Sequence, residues 1–261
     1  MPLHSCLIPR KAVFARESRV ETYSLGPSLL VVVTNLPPQP NMAFIRPYVE
    51  SDQDAMIHIF RETAAPDLRA AGDPVLHYGS YLWCRPYFLL QPDTCYVLDD
   101  GDGRAVGYLL GICDTPSFVH KYRAVFIPYV QLEGIEKPRP DESVRWNENL
   151  PNALRNIMFH PEGMLHEDWP ELMKSWPAHL HIDILPEYQR RGFGQRLIER
   201  FCEVAKKQGA KGVHLGMAAA NDDAGKFYTR LGFTRFPAVL DHGASGEQGR
   251  TEGAIWLVKT L

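Results

Sequence analysis

The sequence predicts an α/β fold, and three observations carry that expectation. Residues 179–185, HLHIDIL, alternate Leu180, Ile182 and Ile184 against His179, His181 and Asp183, which is the period of a strand. Leu197, Ile198, Phe201, Val204 and Ala205 recur on one face at helical spacing, and Gly209 stands where such a helix would stop. Strand-like and helix-like stretches then follow one another in the order β-α-α-β-β-β-α-β-α-β.

In chain order, residues 1–41 differ from the rest. They hold six prolines and no helical period, and residues 28–34 carry the apolar run Leu29-Leu30-Val31-Val32-Val33. That run lies too far from Met1 for a signal peptide, and Glu17 and Glu21 argue against a mitochondrial presequence. The expectation is an N-terminal extension with one strand that pairs with a sheet edge. A domain of residues 42–261 follows. Residues 44–47 read as its first strand. Ser51, Asp52 and Asp54 read as the cap of a helix whose inner face is Met56, Ile59, Phe60 and Thr63. A second helix is expected over about 74–90, with Tyr78, Tyr81 and Trp83 packing in the core. Residues 94–98 and 105–113 flank Asp100-Gly101-Asp102-Gly103 and read as a hairpin. Residues 114–176 are long for a loop and read as an insertion with helices near 152–158 and 169–173. Residues 213–217 are the next strand, and residues 221–231 the last helix.

Composition excludes several functions. At 45% hydrophobic and 23% charged, 261 residues can bury a substantial core. A net charge of −3 offers no footprint for nucleic acid. No apolar run is long enough to cross a membrane. Five cysteines (Cys6, Cys84, Cys95, Cys113, Cys202) with no CxxC pair argue for a reducing compartment and against a metal site. The expected location is the cytoplasm, with the nucleus as the alternative.

The stretch after the 179–184 strand carries the chemistry. Pro186 ends the ladder, since it has no N–H to donate. Gln189, Arg190, Arg191, Gly192, Phe193, Gly194 and Gln195 then lead straight into a helix. The first N–H groups of a helix lack intrahelical partners and its dipole favours anions, so this turn is an anion site. Two glycines let the backbone approach a phosphate, and two arginines add positive charge. The guest that fits is a pyrophosphate.

Gln189-x-x-Gly192-x-Gly194 after a strand and a proline resembles the acyl-CoA signature of the GNAT acetyltransferase superfamily. Asn221-x-x-Ala224-x-x-Phe227-Tyr228-x-x-x-Gly232-Phe233 resembles the second half of that family's core. The resemblance implies a GNAT fold: a mixed central sheet splayed between its fourth and fifth strands, with helices on both faces and acetyl-CoA in the splay. It further implies that backbone groups of Ile184 and Leu185 pair with the pantetheine arm. It implies that Asn221 contacts the cofactor and that the Tyr228 hydroxyl lies near the thioester sulfur. Segments such as Ile45-Arg46-Pro47-Tyr48, Asp114-Thr115-Pro116-Ser117-Phe118 and Ile127-Pro128-Tyr129 are similar to the acetyltransferase-like C-terminal domain of animal O-GlcNAcase. Those animal domains lack the Gly-x-Gly turn and are regarded as unable to bind acetyl-CoA. This chain keeps Gln189, Gly192, Gly194 and Asn221.

Acetyl transfer to an amine needs a base, because an alkylamine is protonated at neutral pH. Asp183 is an acid on an otherwise inward-bound strand and is the first candidate. His181 shares its face and is the second. Tyr228 is the candidate acid toward the departing sulfur. Asp114, at a strand end, is a candidate substrate contact. None of the cysteines reads as a nucleophile, so direct transfer in a ternary complex is expected. The acceptor expected is a small primary amine such as an amino sugar. A protein lysine or N-terminal acceptor, and a non-catalytic acetyl-CoA or sugar sensor, are the alternatives. A homodimer is expected from the apolar residues 254–258, which read as an exposed edge.

Overall fold

The computed structural model describes residues 42–219, 221–237 and 254–261, together with the backbone of two short strands nearer the N-terminus. Those strands, β1 (Tyr23–Leu25) and β2 (Ser28–Leu30), pair antiparallel in a sheet of their own, with Tyr23 opposite Leu30. Of the strand expected over residues 28–34, residues 28–30 are described, as β2; residues 31–34 lie outside the described residues. The rest of residues 1–41 lies outside the described residues. The chain divides by contacts into residues 1–40 and residues 41–261.

The second unit opens with β3 (Phe44–Pro47), followed by α1 (Gln53–Thr63). Met56, Ile59 and Phe60 are the buried face of α1, as the period requires. Asp52 does not cap this helix with its side chain. Its carboxylate instead takes the Arg46 guanidinium at 2.7 Å and the Val49 N–H at 2.9 Å, while Arg46 also reaches Asp99 at 2.8 Å. A buried acid is better satisfied by a cation than by one amide, which is why the cap reading fails here.

The single helix expected over 74–90 is two. After the short α2 (Pro66–Ala70), α3 (Asp73–Trp83) and α4 (Arg85–Leu90) are separated at Cys84, because Pro86 can only stand in the first turn of a new helix. β4 (Cys95–Asp99) and β5 (Ala105–Ile112) form the hairpin. The insertion is largely helical. It holds α5 (Thr115–Lys121), one π-helical turn at Tyr122–Phe126, α6 (Ile127–Leu132), α7 (Leu150–Met158) and α8 (Pro170–Ser175). Then follow β6 (Ala178–Ile184), α9 (Phe193–Lys207), β7 (Gly212–Ala218), α10 (Asp222–Arg230), β8 (Thr234–Arg235) and β9 (Ala254–Thr260).

The seven strands lie in the order β3-β4-β5-β6-β7-β9-β8. Only β6 and β7 run parallel. Two cores flank the sheet. One face, with Val106, Tyr108 and Leu110, packs under α1, α3, α4 and α5. The other, with Leu109, Leu180 and Leu215, packs under α9 and α10. β9 lies between β7 and β8, and β8 pairs with it only at Leu257 and Val258, so the edge expected over residues 254–258 is covered at that end alone.

The pairing that matters most is the shortest. β6 and β7 join only through Ala178–Val213 and His179–His214. Beyond them β6 stays on β5 as far as Ile184, while β7 stays on β9 as far as Ala218. The fourth and fifth strands of the domain thus fork from Leu180 onward.

Candidate active site

The fork exposes one edge of β6. Leu185 N–H donates to the Val106 carbonyl at 3.0 Å, continuing the β5 ladder. Backbone direction alternates along a strand, so Ile182 and Ile184 turn their polar groups the other way, toward the fork. The Ile184 carbonyl there accepts from Gln189 Nε2 at 2.7 Å. Leu185, expected to pair with a pantetheine arm, has its N–H committed to Val106 and its carbonyl to the Tyr188 N–H at 2.9 Å. On the fork side stand the backbone groups of Ile182 and the N–H of Ile184, since the Ile184 carbonyl is taken by Gln189.

At the mouth of the fork stands the N-terminus of α9. Gly192 precedes it with φ of 80°, a left-handed conformation that suits glycine. No side chain caps this end. Gly194 lies close under Phe227: a Cβ there would meet that ring at 3.2 Å. Arg190 also adopts a left-handed φ, 59°, and its guanidinium reaches Asp223 at 2.6 Å, both exposed. Arg191 stacks over Tyr188, Arg196 over Phe193, and Gln195 bonds Glu199. Asn221 caps α10, its Oδ1 accepting from the Ala224 N–H at 3.0 Å, so only its amide nitrogen remains to offer.

On the opposite face of β6, His179, His181 and Asp183 point into the core under α1 and α4. Asp183 Oδ2 accepts from the Tyr108 hydroxyl at 2.5 Å, because Tyr108 stands directly opposite it on β5. Burial raises the Asp183 carboxyl above its ordinary value, against hydrogen bonds from Tyr108 and Thr63 that lower it. No nearby cation acts on it. Burial drives Tyr108 well above the ordinary phenol range, and the Asp183 charge adds to this. Tyr228 on α10 feels the same carboxylate across the fork, and burial first and Asp183 second raise its hydroxyl. Tyr228 therefore stays protonated at neutral pH.

His181 is pushed down to about 4 by burial and is neutral; its Nε2 meets the Tyr87 hydroxyl at 2.8 Å. Asp114 is not brought to this place. It caps α5, accepting from the Ser117 N–H at 2.8 Å, at the end of β6 remote from Asp183. Tyr81 and Trp83 are packing residues, against Phe126 and Phe60 respectively, and Tyr78 lies under Arg155. The thiols of Cys84, Cys95, Cys113 and Cys202 are all raised by burial, which suits packing and not nucleophilic attack. Among the described residues no group of three or more His, Cys, Asp or Glu could hold a metal, and no helix is long and apolar enough to cross a membrane.

Tyr108, Tyr87 and Thr63 are the site residues that sequence reasoning missed. The alternation Val106, Tyr108, Leu110 places Tyr108 on one face, but only the β5–β6 register puts it opposite Asp183.

A forked parallel pair, an uncapped helix end behind a Gln-x-x-Gly-x-Gly turn, and an acid whose charge reaches a tyrosine on α10 form one arrangement. The model of the acetyltransferase (GNAT) family matches residues 54–233. The chain belongs to the GNAT acetyltransferase family. Rat and mouse O-GlcNAcase are each 27% identical to it over 208 residues, covering 76% of this chain and 20% of theirs. The chain thus spans about a fifth of the length of these curated relatives. The crystal structure of SsHAT is 35% identical, with a TM-score of 0.68, covering 84% of this chain and 98% of that one. A Drosophila melanogaster polyamine N-acetyltransferase shares the fold, at 15% identity and a TM-score of 0.51, over 84% of this chain and all of that one (100%).

Proposed function

We propose that this GNAT enzyme takes its acetyl group from acetyl-CoA and passes it directly, in a ternary complex, to the primary amine of a small molecule, an amino sugar such as glucosamine. The observation that carries the reading is the fork, with Asp183 on one side and Tyr228 on the other. Acetyl-CoA would supply the activated acyl group. Gly192, Phe193, Gly194 and Gln195 would hold its pyrophosphate on their N–H groups, and Ile182 and Ile184 its pantetheine arm.

Asp183 has no cation of its own, so an ammonium compensates a buried charge that nothing else does. Its raised affinity for protons makes it a better base than an ordinary carboxylate. It takes one proton from the ammonium. The amine then bonds to the acyl carbon as the carbon–sulfur bond breaks. Tyr228, protonated at rest, donates to the departing sulfur, and the second amine proton replaces its own. The kinship with O-GlcNAcase is what favours an amino sugar among amines.

A thiol-release assay with acetyl-CoA across amino sugars, polyamines and histone peptides tests the reading. Turnover confined to amino sugars supports it, and turnover confined to peptides replaces the acceptor. Gly192→Asp places a side chain at φ 80° and a negative charge at the pyrophosphate, so calorimetry should read at least a tenfold loss of acetyl-CoA affinity.

A further inference from the structure

Behind the polar face of β6 runs an ordered chain of hydrogen bonds. Thr115 Oγ1 lies 2.6 Å from the Pro177 carbonyl and 2.6 Å from His179 Nδ1. A carbonyl can only accept, so the Thr115 proton goes to Pro177. His179 Nδ1 must then be the donor to Thr115, which leaves His179 Nε2 as a lone pair. That lone pair, at 3.1 Å, takes the Tyr87 hydroxyl proton. The Tyr87 oxygen has one proton, now spent, so it accepts from His181 Nε2–H at 2.8 Å. Every proton in the row is fixed by the carbonyl at its end.

We propose that Tyr87 is a positioning residue of the acetyltransferase site, locking His181 as the Nε2–H tautomer so that its Nδ1 lone pair is held open as an acceptor for the substrate's amine. This rests on the acceptor reading given above. His181 Nδ1 has no partner among the described residues and is not among the buried, unsatisfied atoms, so part of its surface is accessible. His181 and Asp183 share one face two residues apart. A primary ammonium can give one N–H to Asp183 and another to His181 Nδ1. A hydroxyl has a single proton and cannot satisfy both, so the pair selects amines over alcohols.

The packing supports a fixed ring. Tyr87 is 2% exposed, stacks on Phe118 at 5.2 Å, and meets the His181 and His179 rings edge-on at 4.9 and 5.5 Å. Burial holds His179 well below its ordinary value and His181 at about 4, so both stay neutral and the proton order survives at neutral pH.

The test is NMR of the full chain carrying isotope-labelled histidine, with His181 assigned by its loss in His181→Gln. Ring carbon and nitrogen shifts distinguish the two tautomers without any turnover. The wild type should show His181 as Nε2–H. Tyr87→Phe keeps the ring and removes the hydroxyl; His181 should become a mixture of tautomers. The variant's kcat/KM for the best amine should fall about tenfold while acetyl-CoA affinity is unchanged. Thr115→Val, which leaves Tyr87 in place, should shift the tautomers the same way and decides the matter if Tyr87→Phe does not fold. A wild-type His181 protonated on Nδ1, or an unchanged tautomer in the variants, overturns the proposal. If the wild type acetylates no amine, the functional reading fails while the tautomer measurement still judges this one.

Discussion

The two faces of β6 are built from the same seven residues and have opposite characters. Leu180, Ile182 and Ile184 join the apolar core under α9 and α10. His179, His181 and Asp183 enter the layer under α1 and α4, where they pair with Thr115, Tyr87 and Tyr108. A solvated sheet would explain such alternation by water on one side. Here helices cover both sides, so the polar face costs stability that the apolar face does not. What the difference teaches is that one side of the strand holds the fold and the other carries the groups proposed to do the chemistry.

The largest effect should come from the polar face. Asp183→Asn keeps the shape and the Tyr108 hydrogen bond but removes the base. Steady-state turnover should fall by on the order of 10²–10⁴-fold, with acetyl-CoA affinity unchanged. Near-normal turnover would make Asp183 an anchor for Tyr108 and nothing more.

Next comes acid stability. His166, His181 and His214 are each depressed to about 4 from an ordinary 6.5, all by burial first. Between those values the unfolded chain binds more protons than the folded one, so stability is full above about 6.5 and is lost as pH falls toward 4. For His214, 3% exposed, the loss is on the order of 3 kcal/mol; the half-buried His181 and His166 add less. Urea midpoints across this range should drop steeply in the wild type and less so in His214→Gln. Equal slopes would remove His214 from the account.

The apolar face should answer in the other currency. Leu180→Ala, at a 4% exposed position, should cost about 2–5 kcal/mol of unfolding free energy and leave kcat per folded molecule nearly unchanged. A large drop in kcat at retained folding would mean the two faces are coupled. The smallest effect is expected of Tyr228→Phe. If water can supply the proton, kcat should fall only about tenfold or less, read by the same assay. A loss matching that of Asp183→Asn would make Tyr228 indispensable.

Local patterns made much of this legible in the sequence. The strand, Pro186, the Gly192 turn and α9 are consecutive, so residue order alone positions them, and the same holds for Asn221 through Phe233. Partners distant in sequence were not legible. Tyr108 meets Asp183 through strand register, and Tyr87 meets His181 only because Pro86 restarts a helix after Cys84. Arg46, only six residues upstream, drew Asp52 away from its cap through a side-chain contact that no cap pattern encodes. β8 is only two residues long, too short to signal by alternation, and it covers the expected edge of β9 only at Leu257 and Val258.

The brevity of the β6–β7 join gives the sheet the mechanics of a lever. Two half-sheets, β3-β4-β5-β6 and β7-β9-β8, meet at two residue pairs, and the proposed reacting groups sit at the far end of one arm. Ile184 is five residues beyond His179, about 17 Å along the strand. At that reach a tilt of about 3° at the pivot moves the tip by about 1 Å, a displacement that can cost on the order of 10²-fold in rate. The pivot is correspondingly tight. His214 Nδ1 holds the Trp176 carbonyl at 2.6 Å, and a Cβ on Gly212 would come within 2.9 Å of the Ser175 carbonyl and 2.8 Å of the Lys259 carbonyl. The width of the slot proposed for the thioester is thus set at residues about 17 Å from its far end.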